Sequence, residues 1–285
     1  MSGAAWGKSS PQRRGDPSLE PMVRFDRVSK WFEGQGNLWM PALDAIDFSA
    51  RQDCFVSIVG PSGCGKSTLL NLCAGLCLPD KGRVLFRGVP VSGVNTHVGY
   101  VTQDSNLLPW QTVLENVVLP LEIRGVPRKA RLERARDWID LVGLRGFEGY
   151  YPHQLSGGMQ KRCALARTLV YDPDVILMDE PFGPLDAMTR LVLQAELLRL
   201  WERQHKTIIF VTHDLTEAVS LSDEVVALSR RPGRVKGVMR VPLERPRDVF
   251  RIAEAKGFPE VVGSLWSLFR TELGDATPLP PGERA

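Results

Sequence analysis

The stretch Gly60-Pro61-Ser62-Gly63-Cys64-Gly65-Lys66-Ser67-Thr68 carries the clearest chemistry in this sequence. It fits G-x-x-x-x-G-K-[ST], a loop whose backbone N–H groups point at phosphate oxygens and whose glycines permit that close approach. In such a loop Lys66 reaches the β- and γ-phosphates, and the Ser67 hydroxyl sits on Mg²⁺. Two carboxylates, Asp179 and Glu180, follow the apolar run Val175–Met178, and His213 follows Ile208–Thr212. Parallel α/β sheets carry their ligand sites at the carboxyl ends of their strands, so all three side chains are expected at that edge. A lone histidine is usually structural, but one at a strand end beside a phosphate loop points to function. Leu155-Ser156-Gly157-Gly158-Met159-Gln160, followed by Lys161 and Arg162, opens a helix expected to stop before Pro173. Ser156 fits the N-cap, and Gly157 and Gly158 bare the backbone N–H groups at the helix start. An ordinary capped helix would read the same way. Trp31 and Phe32 stand at a strand end, where a ring can either stack on a purine base or pack in the core.

These residues need a sheet and helices to hold them. Cys54–Val59 reads as a buried strand before the glycine loop and Leu69–Ala74 as the helix after it. Met22–Val28, Ala45–Ala50, Gly82–Phe86 and Val98–Val101 read as further strands, and Val225–Leu228 as the last clear one. From Thr112 the periodicity turns helical, with Leu132, Ala135, Ile139 and Val142 on one apolar stripe. Arg128, Lys129, Arg131, Arg134 and Arg136 lie opposite, as a solvated face or one that meets lipid head groups. Phe258, Val262, Leu265 and Phe269 form a second stripe expected to dock on the body. Residues 1–20, rich in Ser, Gly, Pro and Arg, read as a disordered tail, and 275–285, with three prolines, as a frayed end.

Composition sets outer bounds. At 285 residues the chain can bury a sizeable core, and a net charge of +3 gives no argument for nucleic acid. No apolar run approaches the roughly 20 residues that span a bilayer, so the reading is of a soluble, cytosolic chain. Five scattered cysteines suggest reduced thiols. Cys73 and Cys77, four apart, would share a helix face as ordinary buried thiols or as part of a metal site.

With these motifs in this order, residues 22 to 245 resemble the ATP-binding subunit of an ABC transporter. The most specific element is Leu155–Gln160, which other phosphate-loop NTPases lack. Gln103–Trp110, Asp179–Phe182 and Arg231–Gly233 are similar to the nitrate/sulfonate/taurine importer branch. The resemblance implies an α/β phosphate-loop cassette with a RecA-like core, an antiparallel β subdomain and an inserted α-helical subdomain over about 111–170. It divides the chain into a tail over 1–20, a cassette over 21–245 and a C-terminal helical extension and tail over 246–285.

The resemblance also implies roles. Phe32, with Trp31 as the alternative, stacks on adenine, and Gly60–Thr68 cradle the triphosphate. Ser67, Gln103 and Asp179 attend Mg²⁺, and Gln103 also touches the attacking water. Glu180 is the catalytic carboxylate, and His213 contacts the γ-phosphate. Ser156, Gly157 and Gly158 reach the nucleotide on a second copy, and Asp186 lies in the loop coupling the two sites. Pro184 stands where the family commonly has a small residue. The implied partners are a second copy in a head-to-tail ATP-sandwich dimer, integral membrane permease subunits and, indirectly, a substrate-binding protein, with no nucleic acid. The implied location is the cytoplasmic face of the membrane.

Phosphoryl transfer is served mostly by positioning and charge, which suits these residue types. The rival reading is a soluble ABC ATPase acting on DNA or ribosomes. DNA-repair members carry long coiled coils between the phosphate loop and the signature, whereas residues 69 to 154 here hold no sustained heptads. Translation-type members usually hold two cassettes, and this chain has one. Leu107, Leu108, Pro109 and Trp110 form an apolar loop that either caps the helical subdomain's core or receives a short permease helix.

Overall fold

The computed structural model describes residues 21–34, 38–183, 185–204 and 206–270. The expected tail before residue 21, Pro184 and the segment after residue 270 lie outside the described residues. Apolar residues on one face of β1 (Val23–Glu33) pair antiparallel with those of β2 (Trp39–Ala50), setting Val23 against Ala50, Phe25 against Phe48 and Val28 against Ile46. Arg27 and Ala45 take left-handed φ of 46° and 49° where the register slips, as a bulge requires. Both strands outrun their expected limits. β1 continues through Trp31 and Phe32, and β2 begins at Trp39, where exposed side chains break the buried pattern.

β3 (Phe55–Val59) runs into the glycine loop and α1 (Lys66–Cys73). β4 (Lys81–Phe86) and β5 (Val89–Pro90) complete a four-stranded antiparallel sheet in the order β2-β1-β4-β5. The chain continues through β6 (Val98–Val101), α2 (Val113–Ile123), α3 (Arg128–Leu141), a 3-10 turn at Pro152–Gln154 and α4 (Gly157–Leu169). Then come β7 (Val175–Asp179), α5 (Ala187–Gln204), β8 (Thr207–Thr212), α6 (Leu215–Leu221), β9 (Glu224–Leu228) and β10 (Val235–Arg240). A 3-10 turn at Ile252–Glu254 precedes α7 (Phe258–Arg270).

The second sheet has the order β10-β9-β3-β8-β7-β6, with β10 antiparallel on its edge and the other pairings parallel. One more strand, β10, follows the last clear one, Val225–Leu228. Lys236, Gly237 and Arg240 give β10 the half-exposed character of an edge, which carries little apolar signal. The parallel strands are apolar on both faces, as burial between two layers demands. Phe55, Ile176, Met178, Ile208 and Phe210 face a core shared with α2 to α5. Val56, Ile58, Val175, Leu177, Ile209 and Val211 face α1 and the antiparallel sheet. Removing each fully buried ring or branched chain from water contributes about 1.5–3 kcal/mol.

α3 turns Ala135, Ile139 and Val142 inward with Leu132 packed beside them, while Arg131 on the basic side pairs with Glu122 at 2.8 Å. α7 docks on α6 and β10, through Phe258, Val261, Leu265 and Phe269. Its buried stripe thus passes through Val261, and the expected Val262 is only partly buried.

Candidate nucleotide site

The loop Gly60–Thr68 leaves the carboxyl end of β3 and enters α1. Gly65 has φ 103°, and a Cβ there would lie 2.6 Å from Leu43 Cδ2, so both backbone and space require glycine. The loop is seated on a distant part of the chain. A Cβ on Gly233 would come within 2.2 Å of the Cys64 carbonyl oxygen. The Gly233 N–H donates to Ala42 O, and the Asp44 N–H donates to Gly233 O, both at 2.9 Å. The turn Arg231-Pro232-Gly233 is thus the floor under the glycine loop.

Lys66 is buried, and its Nζ donates to Gly60 O at 2.9 Å and Pro61 O at 3.2 Å. It also stands 3.7 Å from Glu180 Oε1. Ser67 Oγ donates to Asp179 Oδ1 at 3.0 Å. Burial raises the Asp179 pKa, against the opposing pull of the Ser67 hydrogen bond. Glu180 follows the end of β7 with φ 43°, a left-handed conformation costing a non-glycine residue about 1–3 kcal/mol. Its N–H donates to Val211 O at 3.0 Å, and its Oε2 lies 2.9 Å from His213 Nδ1. Sheet order explains the meeting, since β3, β8 and β7 are neighbours that all end at this edge.

A serine hydroxyl and a carboxylate 3.0 Å apart form a hard oxygen pair. That donor set suits Mg²⁺, which takes one or two carboxylates and completes its shell with water and phosphate oxygens. No group of three or more His, Cys, Asp or Glu side chains able to hold a metal occurs among the described residues, Cys73 and Cys77 included. Burial pushes the Cys73 thiol up to about 12, the state of an inert core cysteine.

Gln103 approaches from β6, and a Cβ on Gly183 would lie 3.8 Å from its Nε2, beside the turn in which Gly183 N donates to Glu180 O. The other sequence candidates have neighbours of their own. Phe32 is 41% exposed near the end of β1, with Lys30 Nζ 5.5 Å from its ring centre. Ser156 caps α4 by accepting from Met159 N at 3.3 Å, and a Cβ on Gly158 would meet Thr189 Cγ2 at 2.9 Å. Asp186 accepts from Thr189 N at 3.0 Å, and hydrogen bonding to Thr189 lowers its pKa. The signature stretch therefore adjoins the start of α5 within this chain.

The family model described as "ABC transporter" matches residues 43–183. An uncharacterised ABC transporter ATP-binding protein of Methanocaldococcus jannaschii is 51% identical over 230 residues, covering 81% of this chain and 86% of that protein. The chain belongs to the ABC transporter ATP-binding proteins. An aliphatic sulfonates import ATP-binding protein of Bacillus cereus is 42% identical over 226 residues, covering 79% of this chain and 88% of the relative. A bacterial ABC transporter cassette solved as a dimer is 33% identical, with a TM-score of 0.68 over 77% of this chain and 99% of its own. The same cassette solved in a post-hydrolysis state bound to ADP and Pi matches equally. This ABC cassette is accordingly an ATP-binding ATPase. No helix among its described residues is long and apolar enough to cross a membrane.

Sequence reasoning missed the residues that hold the cassette's loops. Buried Lys161 on α4 donates to Gln103 O and, at 3.3 Å, to Thr102 O. Arg167 on the same helix donates to Ser105 O and Asn106 O at 2.9 and 2.8 Å. Asn116, fully buried on α2, accepts from Leu108 N at 2.8 Å and donates to Gln111 O and Thr112 O at 3.0 Å. Their partners are backbone amides and carbonyls, which leave no pattern in a sequence. Leu107 packs against the core, whereas Trp110 is 70% exposed, so the expected alternative of a core cap fits Leu107 and fails for Trp110.

Proposed function

We propose that this ABC cassette is the ATP-hydrolysing subunit of an importer that drives uptake of a small nitrate-, sulfonate- or taurine-like solute through a separate membrane permease. The observation that carries the reading is the meeting of Lys66, Ser67, Asp179, Glu180 and His213 at one sheet edge. Lys66 exchanges the carbonyls of Gly60 and Pro61 for the β- and γ-phosphate oxygens of ATP, and the amides of Gly60–Thr68 cradle the rest. Glu180 aligns and polarises a water in line with the γ-phosphate, while His213 contacts that phosphate. Ser67, Asp179 and Gln103 would hold Mg²⁺, which when bound neutralises charge growing on the phosphate oxygens. Phe32 stacks on the adenine, and its exposure leaves the ring accessible.

Exposed Ser156 and Gly157 serve the nucleotide of a second copy in a head-to-tail pair, with Asp186 between the two sites. A dimeric relative of similar fold supports this arrangement. The importer reading is supported by the 42% identical sulfonate-import relative and by exposed Trp110, which suits a permease docked at the cytoplasmic face of the membrane.

Glu180→Gln tests the reading. Nucleotide binding should persist while hydrolysis slows by roughly 10²–10⁴-fold, and the variant should accumulate as an ATP-bound dimer. Near-normal turnover would remove Glu180 from the role given to it.

A further inference from the structure

Glu217 is a buried carboxyl, 8% exposed, with no part in the chemistry above. It sits in the first turn of α6, where an acidic residue at the surface would merely complement the helix N-terminus. Its side chain turns inward instead. Oε1 accepts from Gln194 Nε2 of α5 at 2.8 Å, and Oε2 accepts from Thr212 Oγ1. The same Thr212 hydroxyl accepts from Asp214 N at 3.0 Å. Asp214 Oδ1 accepts from Thr216 N at 2.8 Å and from Glu217 N at 3.1 Å, which returns the chain of bonds to Glu217. The residues on both sides of His213 are thereby fastened into one closed ring of hydrogen bonds.

His213 itself is held lightly. Its side chain is 59% exposed and meets Glu180 at 2.9 Å. The direction of its Cα–Cβ bond is therefore set by the backbone that Thr212 and Asp214 fix. Gln194 ties the ring to α5, where Arg190 Nη1 also stands 3.9 Å from Asp214 Oδ2. Asp186 immediately precedes that helix.

We propose that Glu217 is the positioning residue for His213, fastening Thr212, Asp214 and α5 so that the imidazole is aimed at Glu180 and the γ-phosphate. This rests on the reading of His213 given above. Because the reacting atoms are untouched, loss of Glu217 should blunt turnover more than nucleotide binding.

The test uses the full-length protein, measuring ATPase kinetics, ADP affinity by calorimetry and thermal unfolding. Glu217→Ala should lower kcat on the order of 10–100-fold, the usual cost of a misplaced catalytic group. The KM for ATP and the Kd for ADP should stay within about twofold, since uniform binding is not removed. Glu217→Gln should restore kcat to within about threefold, because its amide can accept from Thr212 and donate to a flipped Gln194. Thr212→Val, which deletes the shared hydroxyl at constant shape, should reproduce the kcat-selective loss even if Glu217→Ala fails to fold. Wild-type kcat in Glu217→Ala or Thr212→Val beside an inactive His213→Ala overturns this inference alone. A parallel fall in ADP affinity, unfolding temperature and kcat, not rescued by Glu217→Gln, does the same. Wild-type turnover in His213→Ala overturns the reading of the site and this inference with it.

Discussion

Glu180 combines a left-handed backbone, a contact with Lys66 and a hydrogen bond with His213, and it can do so because Val211 fixes its amide from the next strand. Glu217, buried one helical turn beyond His213, shows a different kind of constraint. Burial raises its pKa, Asp214 adds to the rise, and Thr212, Gln194 and Arg190 oppose it. A carboxyl whose folded-state pKa lies above its unfolded value binds its proton more tightly when folded. The stability this contributes is complete below the unfolded pKa and is lost as pH rises through the folded one. Glu217→Gln does not titrate, so its unfolding temperature relative to wild type should climb as pH rises above the ordinary glutamate pKa of about 4.3. Calorimetry across that range checks it, and a pH-independent difference would mean that Glu217 does not titrate as its burial implies. Lys66 and Ser67 were legible from the spacing of the glycine loop, and Asp179, Glu180 and His213 because each follows or ends an apolar strand run. Glu217, Lys161 and Asn116 were not, because a buried polar residue is defined by the fold that brings its hydrogen-bond partners to it, and no spacing in the sequence marks it.

Elements explain how the site's loops are held. α4 begins at the Ser156 cap and, one turn later, sets Lys161 under Gln103 O, with Arg167 reaching Ser105 O and Asn106 O further along. One rigid helix therefore joins the signature stretch to the loop that carries Gln103. Burial lowers the Lys161 pKa, opposed by Asp104. Lys161→Met keeps most of the volume but strips two carbonyls of their donor, at a cost of about 1–3 kcal/mol. Hydrogen exchange should quicken across residues 102–106, and ATP hydrolysis should fall, while the α4 cap stays protected. Unchanged exchange there would mean that Arg167 alone secures the loop. The strands of the parallel sheet were readable from continuous apolar runs, but β10 was not, because an edge strand with Lys236 and Arg240 has only one apolar face to show.

The whole molecule places its nucleotide edge and its exposed apolar loop at the two ends of one short segment, from Gln103 to Trp110. Asn116 pins that segment to α2, so Trp110 projects from a fixed base. Trp110→Ala should shift the stability of the isolated subunit by no more than about 0.5 kcal/mol, as expected of a surface change. Its isolated ATPase should stay unchanged while assembly with the permease proposed above weakens. Thermal unfolding and co-purification from membranes check the two halves, and a large loss of stability would return Trp110 to the core.

The floor beneath the glycine loop bears on where the chain can be cut. Residues 43–183 match the family model, yet Gly233 supports Cys64 and joins Ala42 to Asp44 from fifty residues beyond that stretch. β8, with His213 after it, lies beyond it as well, between β3 and β7. A fragment trimmed to the matched region would keep the glycine loop and both carboxylates but lose the surface on which the loop rests. A unit that binds nucleotide on its own is therefore expected to extend past Gly233, because the turn there carries the backbone against which the glycine loop is seated.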